Sequence, residues 1–263
     1  MTYFLSELKT RNETLFYYGL ACLALAVVCL LMTKLTTTQV YGVNAWYKPF
    51  KFAFSTFLFA WAMGWYTYYL PGFNHVFFNW SVIVLLSFEI VYIALMAGKG
   101  QPSHYNISTP LYSLLFSLMA LAATLVTLYT AYVGLLFFTQ SFPQLPSYYV
   151  WGIRMGILLF VIFSFEGFLM GSRLSHTVGA LNDNSDLLIV GWSQKAGDLR
   201  IAHFIGMHAL QALPFLAFYV FKSTRATLVV STLYGLLAVF TLVQALQGKP
   251  LFKIKKENHA LIR

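Results

Sequence analysis

From Phe52 to Phe88 the chain carries no Asp, Glu, Lys or Arg, and apolar runs of the same character recur from end to end. A helix needs about 20 such residues to cross roughly 30 Å of hydrocarbon. Seven runs qualify, at about 15–33, 50–70, 76–97, 111–138, 149–172, 201–221 and 226–247. Inside the uncharged stretch, Pro71-Gly72 followed by Asn74 is a turn signal that divides it into two helices. Residues 1–263 therefore read as a single all-α, polytopic transmembrane bundle of seven helices. With 59% hydrophobic and only 10% charged residues, a soluble globular domain is excluded, because an interior of this size could not hide so much apolar surface.

Local signals refine the spans. Pro49 and Pro110 suit first-turn positions, the latter after a Ser108/Thr109 cap. Pro143 and Pro146 fall in the fourth connection, and Pro214 lies inside the sixth span, which it should kink. Glu7, Lys9, Arg11 and Glu13 break the pattern of a cleavable signal. Phe4, Leu5, Leu8 and Leu15 instead recur at helical spacing, as in a short interfacial helix leading into the first span.

Lys34, Lys48, Lys51, Lys99, Arg173, Lys195, Arg200, Lys249, Lys253, Lys255, Lys256 and Arg263 fall on the side of the C-terminus, against Lys9, Arg11, Arg154, Lys222 and Arg225 on the other. The positive-inside rule then puts the N-terminus outside and the C-terminus in the cytoplasm of a bacterial inner membrane. The net charge of +9 follows from this topology and from attraction to anionic lipid, which makes membrane lipid the expected partner and nucleic acid not. Cys22 and Cys29 are seven residues apart on one helix face, roughly 10 Å along the axis and too far for a bridge.

Against this background Glu89 and Glu166 stand out as carboxylates set deep in apolar spans. Each costs on the order of 3 kcal/mol there, which marks a functional site by default. Counted from Gly98 and Arg173, both lie roughly 10–14 Å from the cytoplasmic ends of their helices. His208 reaches a similar level on the sixth span, where Arg200, His203, His208 and Gln211 form a polar stripe expected to face the bundle interior. The cytoplasmic connections add Lys51, His104 and Asn106, then His176, Asn182, Asp183, Asp186, Trp192 and Asp198. Together they predict a cavity open to the cytoplasm. Gly152/Gly156 and Gly167/Gly171 are small-residue pairs that let helices approach closely, either within the bundle or in a homodimer.

The segments Lys48-Pro49-Phe50-Lys51-Phe52, Gly100-Gln101-Pro102-Ser103-His104-Tyr105-Asn106 and Gly197-Asp198-Leu199-Arg200, with the Ala202-His203-Phe204 and Gly206-Met207-His208-Ala209-Leu210-Gln211 runs that follow, resemble those of a group of bacterial integral membrane proteins of seven helices. The resemblance implies that these motifs belong together and implies no activity. Other seven-helix families fit less well. A retinal photoreceptor needs a Lys in the last span, and 226–247 has none. Of the S-x-x-x-H and H-x-x-x-H pairs of the zinc-dependent hydrolases related to alkaline ceramidases, Ser172/His176 matches the first and His203/His208 misses the second by one residue.

Three functions are compatible with these residues. The first is a metal-dependent membrane enzyme. It would hold zinc or iron through His203, His208, His104 and His176, with Glu89, Glu166 and Asp198 as catalytic or orienting carboxylates. Arg200, Gln211, Asn106, Lys51 and Trp192 would bind an amphipathic or lipid-like substrate. The second is a proton-coupled transporter using the same Glu and His residues. The third, a haem-binding redox protein, would pair His208 with His104 or His176.

Overall fold

The computed structural model describes residues 2–179 and 190–252; Asn182, Asp183, Asp186 and the Lys-rich tail lie outside them. A short helix α1 (Thr2–Arg11) turns at Asn12 into α2 (Glu13–Leu35). There follow α3 (Tyr47–Thr67), α4 (His75–Gly98), α5 (Pro110–Thr139), α6 (Ser147–Phe165), α7 (Gly167–Arg173), α8 (Arg200–Leu216) with a π-helical turn at Ala217–Phe221, and α9 (Thr224–Leu246). Two short antiparallel hairpins complete the chain. Strands β1 (Gln39–Val40) and β2 (Val43–Asn44) join α2 to α3, and β3 (Thr177–Val178) pairs with β4 (Gly197–Asp198).

The protein is an all-α, polytopic membrane-spanning bundle. Among the described residues, six stretches are long and apolar enough to cross a membrane: Glu13–Leu35, His75–Gly98, Pro110–Thr139, Ser147–Arg173, Arg200–Phe221 and Thr224–Leu246. Helix α3 is not among them, because its Trp, Tyr and Lys residues dilute its apolar character. Outward-facing Leu31, Val84, Leu135 and Phe240 are exposed, as residues in contact with lipid should be. The helix starts carry the caps expected of them. Asn12, Asn74, Thr109 and Ser223 accept from the backbone N–H of Leu15, Phe77, Tyr112 and Ala226.

Helices α6 and α8 meet backbone to backbone. A Cβ on Gly156 would stand 2.8 Å from the Ala209 carbonyl oxygen, and one on Gly152 2.8 Å from the Ala217 Cβ. This small-residue pair is therefore engaged inside the bundle, not on an outer face. Gly167 faces the His203 ring, whereas Gly171 has nothing within 4 Å of its Cβ position, so the second pair is not a packing seam.

Two departures from regular helix shape the interior. Pro214 lacks an N–H, so the carbonyl of Leu210 loses its helical donor; the Tyr66 hydroxyl of α3 donates to it at 2.9 Å. The fifth predicted span is not continuous either. It breaks at Glu166 between α6 and α7, where the Leu169 N–H bonds to the Glu166 carbonyl at 2.9 Å, three residues back instead of four.

The polar stripe of α8 lies differently from expectation. The most buried arc of this helix is apolar, formed by Ala202, Gly206, Ala209, Leu210 and Leu213. Arg200, His203, His208 and Gln211 are only partly buried, and Phe204 among them is 47% exposed. The contact with α6 takes the apolar face because only small side chains fit there. The stripe is left at the margin of the interior.

The helix contact makes a direct prediction. Gly156→Ala should destabilise the protein by about 1–3 kcal/mol, since the new methyl meets backbone that cannot yield. Gly171→Ala, in open space, should be neutral or slightly stabilising. Thermal unfolding in detergent would compare them, and equal midpoints would refute the tight α6–α8 contact.

Candidate functional site

The break at Glu166 and the helix facing it build the centre of the site together. Gly206 has no side chain, so Phe163 of α6 packs directly against its backbone. Gly167 likewise leaves room for the His203 imidazole, whose Cε1 lies 3.4 Å from the position of a Cβ. His203 thereby reaches the Phe163 carbonyl, and its Nδ1 is 2.6 Å from that oxygen. A carbonyl only accepts, so Nδ1 carries the proton of this bond.

Glu166 Oε2 is 3.4 Å from the same Nδ1, with the carboxylate side chain 5% exposed and the imidazole 29%. Neither Glu166 oxygen has a hydrogen-bond partner among the described residues. A buried carboxylate without donors is expensive, and His203 is the group at hand to share a proton with it. Glu89 of α4, the other intramembrane carboxylate, is 9% exposed.

Around this pair stand the polar groups of the end of the bundle where α3, α5 and α8 begin. Lys48, on the first turn of α3, lies 6.0 Å from the centre of the Phe52 ring, and His104 packs on the same ring at 5.5 Å. Lys48 is electrostatically coupled to Glu89, Arg200 and Lys51, and also to His104 and His176. From the sequence, Lys48 enters as a topological charge and as the first residue of the Lys48-Pro49-Phe50-Lys51-Phe52 motif, with no site role. The signal available was its position three residues before Lys51, which puts both cations on one face of the first turn.

Several predicted site residues prove to hold the connections in place. Both oxygens of Asp198 are engaged: Arg200 Nε donates to Oδ1 at 2.9 Å, Arg200 Nη2 to Oδ2 at 2.6 Å, and the Ser193 N–H to Oδ2 at 2.9 Å. Arg200 Nη2 also donates to the Gly191 carbonyl. Lys51 donates to the Val190 carbonyl at 2.8 Å. The Asn106 amide closes its own loop, donating to the Pro102 carbonyl at 3.0 Å and accepting from Ser108. Trp192 stacks on Phe252 with ring centres 6.2 Å apart and meets Phe204 edge-on at 5.7 Å.

His208 contacts the Phe204 ring at 4.4 Å, and Gln211 Oε1 is buried without a hydrogen-bond partner among the described residues. Among the described residues, no three His, Cys, Asp or Glu side chains are grouped so as to hold a metal ion. His203, His208, His104 and His176 are accordingly not assembled as one ligand shell. The first serves the Glu166 pair, the second lies along α8, and the other two sit in the connections above them.

The molecule so defined is a polytopic helical membrane protein with a buried Glu–His pair beneath a basic, histidine-containing rim. No family model, curated protein or solved structure matches the chain.

The rim histidines are neutral near pH 7. Burial and the Arg200 charge bring His176 down to about 4, and burial together with Lys48 holds His104 well below the usual imidazole range. The unfolded chain binds a proton at such a group near pH 6.5, about the ordinary value, and the folded chain does so only at about 4 for His176. Between these values the unfolded state holds more protons, so stability declines as the pH falls through that window. His176→Gln should remove part of the decline. Thermal midpoints between pH 7.5 and 4.5 would test this, and an undiminished acid loss in the variant would dismiss the role of His176.

Proposed function

We propose that the protein is a proton-coupled transporter in which Glu166 and His203 form the proton-exchanging pair and Glu89 the second proton station. The observation that carries this reading is the Glu166 carboxylate: buried at a helix break, without a hydrogen-bond donor among the described residues, and 3.4 Å from an imidazole nitrogen. Ionisable groups at membrane depth mark proton relays and ion pathways. Broken helices in transporters serve as sites when the interrupted backbone is satisfied by protein. A metal-dependent enzyme acting on lipid-like substrates would need several ligands on one ion, whereas among the described residues no three His, Cys, Asp or Glu side chains are grouped for one. Zinc, iron or haem therefore has less support than proton exchange.

The transport reading goes with seven crossings, the N-terminus outside and the C-terminus cytoplasmic, in a bacterial inner membrane and in the group with the KPFKF and GQPSHYN motifs. What supports α3 as the seventh crossing is connectivity. Asn12 and Asn79 exchange amide hydrogen bonds of 3.0 and 2.9 Å, so α2 and α4 start at the same end. The chain must return between them. Gly64, near the end of α3, lies against Asn12 and Leu15, and its 21 residues give about 31 Å of helix.

In proteoliposomes the wild type should dissipate an imposed pH gradient, and Glu166→Gln or His203→Gln should slow this by about 100-fold, the scale of a lost acid–base group. Wild-type rates in Glu166→Gln would remove the proposal. For orientation, a reporter fused after Phe221 should behave as external and one after Leu246 as cytoplasmic; the reverse pattern would invert the topology.

A further inference from the structure

We propose that Arg154 holds a phospholipid molecule at the membrane boundary, its guanidinium gripping the lipid phosphate while neighbouring surface of α5 and α6 receives the acyl chains. The inference is independent of the transport reading.

Arg154 lies seven residues beyond the first residue of α6 (Ser147–Phe165), about 10 Å along the helix. With α7 it belongs to an apolar stretch of 27 residues, which at about 40 Å is longer than the roughly 30 Å of hydrocarbon it crosses. Shared between the two ends, the excess leaves the Arg154 backbone about 5 Å inside the apolar layer. The side chain turns back toward the boundary, and Nε donates to the Phe137 carbonyl at 2.8 Å. Phe137 stands in the last turn of α5 (Pro110–Thr139), where carbonyls have no donor from their own helix.

Two rings frame the guanidinium. Its Cζ stands 5.0 Å from the centre of the Trp151 ring and 5.6 Å from that of Phe138, and the two rings meet edge-on at 6.3 Å. The group is thus held by one carbonyl and two aromatic side chains. Its Nη1 and Nη2 make no hydrogen bond among the described residues. No described carboxylate pairs with it either. Tyr69, bonded to Arg11 and edge-on to Tyr149 at the start of α6, brings α1 to this same end of the bundle. The acidic side chains there are already committed, Glu7 to Arg11 at 2.8 Å and Glu13 to Lys9 at 3.7 Å. Glu166 is twelve residues further along the chain, about 18 Å deeper.

A cation at such a depth is costly without a counter-ion, and the anion that a bilayer itself supplies at its boundary is the phosphodiester of its lipids. The guanidinium fork matches two phosphate oxygens with parallel N–H donors. Below the fork the surface is apolar and outward. Leu158, one turn deeper on α6, and Leu135, three residues deeper on α5, are both exposed. A single lipid therefore meets its partners in order, the phosphate at Arg154 and the acyl chains along Leu135 and Leu158. A soluble anion would use the first of these alone. Because Arg154 already bridges α5 and α6, the bound lipid also braces that helix pair.

Native mass spectrometry of the full chain in detergent, titrated with dioleoyl phosphatidylcholine, tests the site. This lipid carries the phosphate without net charge, so general attraction to a basic protein does not enter. Wild type should retain a phosphatidylcholine molecule that an equal concentration of dioleoylglycerol, with the same chains and no phosphate, does not displace. Arg154→Gln should weaken the apparent affinity about tenfold or more, the size of one lost hydrogen bond to a charged group. Arg154→Lys keeps the charge and a donor for Phe137 but loses the fork; it should give an intermediate loss, and it decides the matter if Arg154→Gln does not fold. Phosphatidylcholine affinity equal to wild type in Arg154→Lys and in any folded Arg154→Gln refutes the phosphate grip. Dioleoylglycerol binding as tightly as phosphatidylcholine refutes it as well, since the chains alone then suffice. Inorganic phosphate that displaces the lipid and by itself raises the thermal midpoint of wild type overturns the lipid as occupant and makes the site one for a soluble anion.

Discussion

A backbone carbonyl released inside a membrane helix has no water to bond to, so another part of the protein must supply the donor. Two such carbonyls are found among the described residues, and the site depends on both. The break at Glu166 leaves the Phe163 oxygen to His203 of α8, at 2.6 Å. Pro214 leaves the Leu210 oxygen of α8 to Tyr66 of α3, at 2.9 Å. These bonds tie α3 to α8 and α8 to α6. Tyr234 of α9 also donates to the Ile205 carbonyl, at 2.8 Å, and ties α9 to α8. Glycine is the enabling residue in each close approach of α6 and α8, because only a missing Cβ lets backbone and imidazole come so near.

The rim is organised by a different rule. Charges near the membrane surface persist where each has a partner, and the connection before α8 is built around one such partnership. The bidentate Asp198–Arg200 pair sets the turn into α8 and gathers the Ser193 amide and the Gly191 carbonyl to it. Gly197 lies so close to the Ala245 carbonyl of α9 that no side chain fits, which seats β4 on the last helix. Lys51, through the Val190 carbonyl, ties the far side of this connection to α3. The described part of this connection, from Val190 to Leu199, is therefore anchored at defined points to α3, α8 and α9.

Much of this was legible from residue types. Glu89 and Glu166 announce themselves by the cost of a carboxylate in hydrocarbon, Pro214 by its missing N–H, and the Gly152/Gly156 seam by its spacing. The break at Glu166 was not legible, since the sequence there reads as uninterrupted apolar helix with glycines of the kind that also serve packing. Asp198 and Asn106 suggested chemistry, and their hydrogen bonds turn out to be local because short polar side chains in turns find neighbouring backbone first. Lys48 was overlooked because a lysine at a helix end has an adequate explanation in topology alone.

Sequence by itself determined that the chain spans a membrane in apolar helices, that two carboxylates lie within them, and that histidines and basic residues collect at one end. Those conclusions follow from transfer costs that each residue incurs wherever its helix packs. Which imidazole meets which carboxylate was decided only by tertiary structure. A polar stripe on α8 does not indicate its direction, since the helix turns its small apolar face to α6 and leaves the stripe at the margin. His203 and His208, five residues apart, thus part company: one enters the helix break beside Glu166, and the other stays along α8 with Phe204 and Gln211. The physical reason is that close packing selects a helix face by shape, and the polar groups then bond with whatever that choice brings within reach.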